Sequence, residues 1–168
     1  MRLANHDAIA GPLPVAAGSY LLVLRLDEEA VLRVGVLGAF HFPAGLYVYA
    51  GSARGPGGVR ARVGRHLNAH RTPHWHIDHL SAIAAPVAVW SRPGRRRLEC
   101  IWAGAMARDS RFHAPAPRFG ASDCRCLSHL WRLQIPDRSW QGLLSRLPFP
   151  PVCLWQDESA NSCGEEHP

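Results

Sequence analysis

Apolar residues along the first third of the chain gather into short strand-like runs separated by polar and glycine-rich stretches. Residues 18–26 (GSYLLVLRL) and 30–37 (AVLRVGVL) are rich in β-branched and large aliphatic side chains, and Asp27-Glu28-Glu29 separates them. That pattern predicts a hairpin with a short acidic turn. A third run at 45–50 (GLYVYA) mixes apolar and aromatic residues, so the three predict one antiparallel meander. Residues 51–58 hold four glycines and a proline, which predicts a loop of bare backbone. Helical spacing then resumes over 59–68, where Val59, Val63 and Leu67 recur at i, i+4 and i+8 and mark the buried stripe.

Pro73 ends that helix, and a short second helix is expected over 74–83, followed by a strand over 85–91. Residues 95–108 give the clearest helical signal, with Leu98, Ile101, Trp102, Ala105 and Met106 on one face. After an Ala/Pro loop at 112–122, a strand is expected over 124–134 and a short helix over 139–147. The fold class implied is α+β, a small mainly antiparallel central sheet flanked by helices. A length of 168 residues suits one domain. It divides into an N-terminal extension at 1–16, a folded region at 17–147, and a tail at 148–168 that is Pro-rich, then acidic, and expected to be disordered.

Composition narrows the function classes. No apolar run approaches the ~20 residues of a membrane helix, and residues 1–17 lack a secretory core. A cytoplasmic protein without membrane partners is expected. The formal net charge of +6 hides an asymmetry: 19 Arg against nine acids give +10 over residues 1–150, and residues 151–168 carry −4. A basic body with Arg clustered at 54–71 and 92–97 points to a polyanion, and a merely solvated basic surface is the plain alternative. Five cysteines in a chain large enough to need no staples suggest free thiols or a metal rather than a disulfide framework.

Several residues are placed for chemistry. Arg62 and His66, spaced i, i+4, share a helical face beside the apolar stripe, at the rim of the core. Glu99 borders the apolar stripe of its own helix, where a carboxylate needs a cation or a set of donors. A metal would serve, and so would an ion pair with one of Arg95, Arg96 and Arg97. Five of ten histidines fall at 66, 70, 74, 76 and 79. Pro73 interrupts their spacing, so His74-Trp75-His76-Ile77-Asp78 reads better as support for a site, or as a phosphate and base contact with Trp75 available for stacking. Cys124-x-Cys126-x-x-His129, with Cys100, is a possible zinc site, the other reading being thiols that pack a helix on a strand.

Gly18-Ser19-Tyr20, Tyr49-Ala50-Gly51, Arg62, His66 and Glu99 resemble the GIY-YIG nuclease superfamily in order and context. The blocks at 47–67, 74–80, 99–100 and 119–130 are similar to an uncharacterised GIY-YIG-like group whose members occur alone or fused to an endonuclease III-type glycosylase. The resemblance covers residues 17–135. It implies a DNA endonuclease, a hydrolase of phosphodiester bonds with a role in DNA repair, that depends on Mg2+ or Mn2+. Tyr20, Tyr49, Arg62, His66 and Glu99 would be catalytic: the tyrosines to activate water, Arg62 to stabilise the phosphorane, His66 to hold phosphate or move a proton, and Glu99 to carry the magnesium. Ser52, Arg54, Arg60, Arg65, His74, Trp75 and His76 would contact nucleic acid, and a DNA-repair glycosylase is the implied protein partner. Ser19 and Ala50 replace the middle residues of both tripeptides and are expected to be chemically inert. An additional strand is expected to separate the tyrosines along the chain. Two other functions stand beside this one: a non-catalytic nucleic-acid-binding module, and a zinc-stabilised interaction domain built on Cys100, Cys124, Cys126 and His129.

Overall fold

A computed structural model describes residues 6–68, 72–135 and 140–158. In chain order its elements are α1 (His6–Ala10), β1 (Gly18–Leu26), β2 (Ala30–Arg33), β3 (Ala39–Phe42), β4 (Gly45–Ala53), α2 (Gly58–His66), α3 (His76–Ser81), β5 (Ala85–Pro93), α4 (Leu98–Met106), β6 (Phe112–His113), β7 (Leu130–Leu133), α5 (Trp140–Leu144) and β8 (Val152–Gln156). The fold is α+β, as the pattern of elements implies. Six strands form one antiparallel sheet in the order β6-β7-β4-β1-β5-β8, while β2 and β3 make a separate two-stranded ribbon. No described helix is long and apolar enough to cross a membrane.

The expected meander is corrected here. β1 pairs directly with β4, from Gly18 opposite Ala53 to Leu26 opposite Gly45, and residues 27–44 form an excursion from that pair. β2 pairs only with β3, across a 3₁₀ turn at Gly35–Leu37. The burial patterns give the reason. Seven of the first eight positions of β1 are buried without alternation, so both of its faces are covered and its neighbours must be equally apolar. β2 alternates between half-buried and exposed and so suits the periphery. The acidic stretch at 27–29 leads out to the ribbon rather than closing a hairpin.

The sheet carries a core on each face. Tyr20, Leu22, Leu24, Tyr47 and Tyr49 point to one side, where Val59 and Val63 of α2, Ile77 and Leu80 of α3, and Ile9 of α1 cover them. Leu21, Val23, Val48 and Ala50 point to the other, against Leu98, Trp102 and Met106 of α4 and Leu143 and Leu144 of α5. The two-residue period of a strand thus sends Tyr20 towards α2 and its neighbour Ser19 towards α4.

The tail is corrected in part as well. Val152–Gln156 is a strand outermost on β5, with Ser91 opposite Val152 and Ala88 opposite Gln156. Trp102 Nε1 and Arg92 Nη1 donate to the carbonyls of Pro148 and Pro150, at 2.9 and 3.0 Å, and so dock the approach to it. Residues 159–168, with Cys163, lie outside the described residues. The strand expected over 124–134 shortens to Leu130–Leu133, since residues 124–129 form a loop.

Candidate active site

Tyr20, Tyr49, Arg62, His66 and Glu99 line one cleft of about 440 Å³, joined by Ser52, Arg54, His74, Trp75 and His76. Ten of the twelve residues expected to act on nucleic acid therefore converge, across the end of the sheet where β1 begins and β4 ends. Arg60 and Arg65 do not. Arg60 donates to the carbonyls of Leu13 and Gly11, both at 2.8 Å, and fastens the N-terminal segment to α2. Arg65 lies outside the cleft, its Nε buried without a hydrogen-bond partner among the described residues. At about 100° per residue, Arg60 stands roughly 140° and Arg65 roughly 80° from the direction that Arg62 and His66 share, so both turn away from the cleft.

A chain of hydrogen bonds runs through the middle of the site. The Tyr20 hydroxyl lies 2.8 Å from His66 Nε2, and His66 Nδ1 lies 2.6 Å from Asp78 Oδ1. Asp78 Oδ2 accepts the backbone N–H groups of His74 and Trp75, both at 2.9 Å, and so caps the start of α3. Burial works against the charge of Asp78, but the hydrogen bonds from His66, Trp75 and His74 outweigh it and hold the carboxyl at about 2. An ionised Asp78 fixes the His66 proton on Nδ1, which leaves Nε2 to accept the phenolic proton of Tyr20. Burial lowers the His66 pKa below 6.5, against the opposing pull of Asp78, so the imidazole is neutral at pH 7. Burial likewise raises the pKa of both Tyr20 and Tyr49, with Arg62 pulling the other way, so each is a neutral phenol.

Gly51 makes this chain possible. It stands opposite Tyr20 in the β1–β4 ladder, and a Cβ there would lie inside van der Waals contact with the phenol carbon and oxygen of Tyr20. Gly51→Ala is therefore expected to push the hydroxyl off His66 and to lower stability by about 1–3 kcal/mol, the usual range for overpacking. Chemical denaturation measures this, and wild-type stability would show that the ring has room to move. Gly120 plays a comparable part for Tyr49. Its φ of 71° is left-handed, a Cβ would come within 2.8 Å of the Tyr49 ring, and its N–H donates to His76 Nδ1 at 2.9 Å. His76 is thus a clamp on this loop as well as a cleft residue.

Glu99 closes the wall on the α4 side and is only 2 % exposed. Ser19 Oγ donates to Oε2 at 2.6 Å, Arg97 Nε donates to Oε1 at 3.1 Å, and Arg54 Nη2 lies 3.9 Å away. The ion pair with Arg97 foreseen as an alternative is present. Ser19 is not inert, which corrects the expectation for the middle tripeptide residue: besides binding Glu99 it accepts the Leu98 N–H at 3.1 Å and caps α4 from the neighbouring strand. Arg54 also donates to the carbonyls of Arg95 and Arg96, which fixes its head beside the cleft. On the far wall the Arg62 guanidinium lies 4.4 Å from the Trp75 ring centroid, a cation–π contact that holds both side chains facing the opening.

Asp123 was not among the expected site residues, and Asp78 was expected only as part of the run from His74 to Asp78 that supports a site. Asp78 offered a signal, an acid three residues into a helix that follows Pro73, where a carboxylate caps the helix start. Asp123 lies 2.7 Å from Arg97 through an exposed pair that no spacing announces. Behind Glu99, Cys100, Cys124, Cys126 and His129 place their ligand atoms within 4.8 Å of one another and could hold a metal ion such as zinc. Burial, together with the Cys126 and Cys124 thiols beside it, pushes the Cys100 thiol up to about 12, so without a cation Cys100 keeps its proton.

A family model described as "Domain of unknown function DUF123" matches residues 19–145. No curated protein and no solved structure gives a match.

Proposed function

The chain belongs to the DUF123 family, and from the chemistry of its cleft we propose that it is a GIY-YIG-type nuclease that hydrolyses phosphodiester bonds in DNA. The observation that carries this reading is the Asp78–His66–Tyr20 relay opening on a cleft walled by Arg54, Arg62 and Arg97. Hydrolysis needs a path for the proton of the attacking water and positive charge where the phosphorane forms. In the reaction a water oxygen bonds to phosphorus, and its proton passes to the Tyr20 oxygen as the phenolic proton moves to His66 Nε2. Asp78 steadies the resulting imidazolium. The bond from phosphorus to the leaving oxygen breaks on the opposite side, solvent water protonates the product alkoxide, and the proton held on His66 returns through Tyr20 to the hydroxide so formed. Because the Tyr20 pKa is raised, the phenol works as a neutral relay and not as a stored phenolate. Arg62 meets the equatorial oxygens, and Trp75, 37 % exposed, offers a face for an adjacent base.

Glu99 is the buried carboxylate of the cleft, and Mg2+ needs only one or two protein carboxylates, with water and phosphate oxygens completing its shell. The donor chemistry fits once Arg97, half exposed and also tied to Asp123, yields Oε1. A bound Mg2+ would polarise the phosphate as a Lewis acid. A second reading, a DNA-binding module without turnover, is favoured by that same saturation of Glu99.

A nicking assay on linear, nicked and branched DNA, with Mg2+ or Mn2+ and an EDTA control, separates the two. Turnover supports the nuclease, and salt-sensitive binding without turnover supports the module. The pH profile adds a check on the relay. His66 must be neutral to accept a proton, and its pKa lies below 6.5, so the rate is expected to hold at pH 6.5 and to fall as pH drops through the His66 pKa. Asp78 raises that pKa, so Asp78→Asn is expected to move the acid limb to lower pH while lowering the plateau. An acid limb in the same place in both proteins would remove His66 from the mechanism.

A further inference from the structure

We propose that Cys100, Cys124, Cys126 and His129 form a closed tetrahedral zinc site that is structural and pins the cleft wall in place. The four ligands come from separate parts of the chain. Cys100 sits in the first turn of α4, Cys124 and Cys126 lie in the loop before β7, and His129 immediately precedes β7. Cys100 Sγ and Cys124 Sγ lie 3.8 and 3.4 Å from His129 Nε2, and no pair of ligand atoms is more than 4.8 Å apart. Tetrahedral zinc, with bonds of about 2.3 Å to sulfur and 2.0 Å to nitrogen, places sulfur and nitrogen about 3.5 Å apart and two sulfurs about 3.8 Å apart. The two cysteine–histidine separations are thus near coordination distance, and the widest pair has at most about 1 Å to close. Three sulfurs and one imidazole are the donor set that selects zinc over magnesium.

Four protein ligands leave no open position, so the ion does not activate water or bind phosphate. Its work is mechanical. The loop over 114–129 has no regular structure, yet it carries Gly120 and Asp123 to the cleft. Ala50 N donates to the His129 carbonyl at 2.9 Å, and His129 N donates to the Phe119 carbonyl at 2.8 Å, so the loop is sewn to the strand that bears Tyr49. Zinc would close the remaining side, joining the loop to the helix that bears Glu99, the neighbour of Cys100.

This inference is independent of the nuclease reading, and its test involves no cleavage. Full-length protein purified without added metal or chelator is analysed for metal, and a second preparation is loaded with Co2+. One zinc per chain and the visible spectrum of a tetrahedral cobalt thiolate are expected. Cys126→Ser should lose both, and Cys153→Ser should keep both, because Cys153 lies on β8 with its thiol towards the Trp155 carbonyl. Stripping zinc should lower the melting temperature by about 10 °C or more. Background zinc in the wild type, an octahedral cobalt spectrum, a disulfide within the cluster, or full zinc in Cys126→Ser protein would overturn the proposal. Should Cys126→Ser fail to fold, the wild-type metal content and cobalt spectrum decide alone.

Discussion

Tyr20→Phe should slow phosphodiester cleavage by ~10²–10⁴-fold, the range that a positioned acid–base group supplies, and leave DNA affinity near that of the wild type. The substitution removes a single oxygen, the one that joins the cleft to His66 Nε2. It takes away no charge, so the basic surface that supplies non-specific affinity is intact. The buried His66 nitrogen then lacks its donor, which costs about 1–3 kcal/mol of stability. Single-turnover cleavage together with a denaturation curve separates the two effects, since a fold weakened by that amount remains populated at 25 °C. Wild-type cleavage by Tyr20→Phe protein would eliminate the relay, and attention would pass to Tyr49.

Glu99→Ala should lower cleavage by ~10²-fold or more and tighten DNA binding. Its carboxylate neutralises Arg97 and lies 3.9 Å from Arg54. Removing it frees positive charge at the cleft wall, so the dependence of affinity on salt should become steeper. Arg97 is half exposed and keeps Asp123, but the buried Ser19 hydroxyl loses its acceptor, so the stability cost should be about 1–3 kcal/mol, that of one unsatisfied buried group. Equal cleavage by mutant and wild type would remove Glu99 from the chemistry and leave it as the anchor of the α4 start. Weaker binding would show that Glu99 organises the arginines more than it opposes them.

The central strands and main helices were readable because each has a face to bury. Tyr20–Leu24, the Val59, Val63 and Leu67 stripe, and the Leu98 to Met106 face all appear where their periods place them. Pairing was harder. Two β-rich runs flanking Asp27-Glu28-Glu29 suggest a hairpin, and only the contrast between the unbroken β1 run and the alternating Ala30–Arg33 run indicates that they belong to different layers. The cleft residues were legible as residue types in order, but their partners were not. Ser19 reaches Glu99 from the far face of its strand, and Asp78 reaches His66 across the break after α2, contacts that exist only once strand and helices pack. Arg60 and Arg65 show the limit of reading charge by cluster, since a basic run on a helix divides its members among several faces.

The outermost position of β8 bears on how the protein can be trimmed. Val152–Gln156 completes the ladder of β5. A version ending at Pro148, shortened to discard the acidic tail, would bare a row of unpaired N–H and C=O groups along Ala88 to Ser91. Such a row is a template for strand addition from a second chain. The smallest autonomous unit therefore extends past Gln156, and shorter versions should self-associate before they unfold.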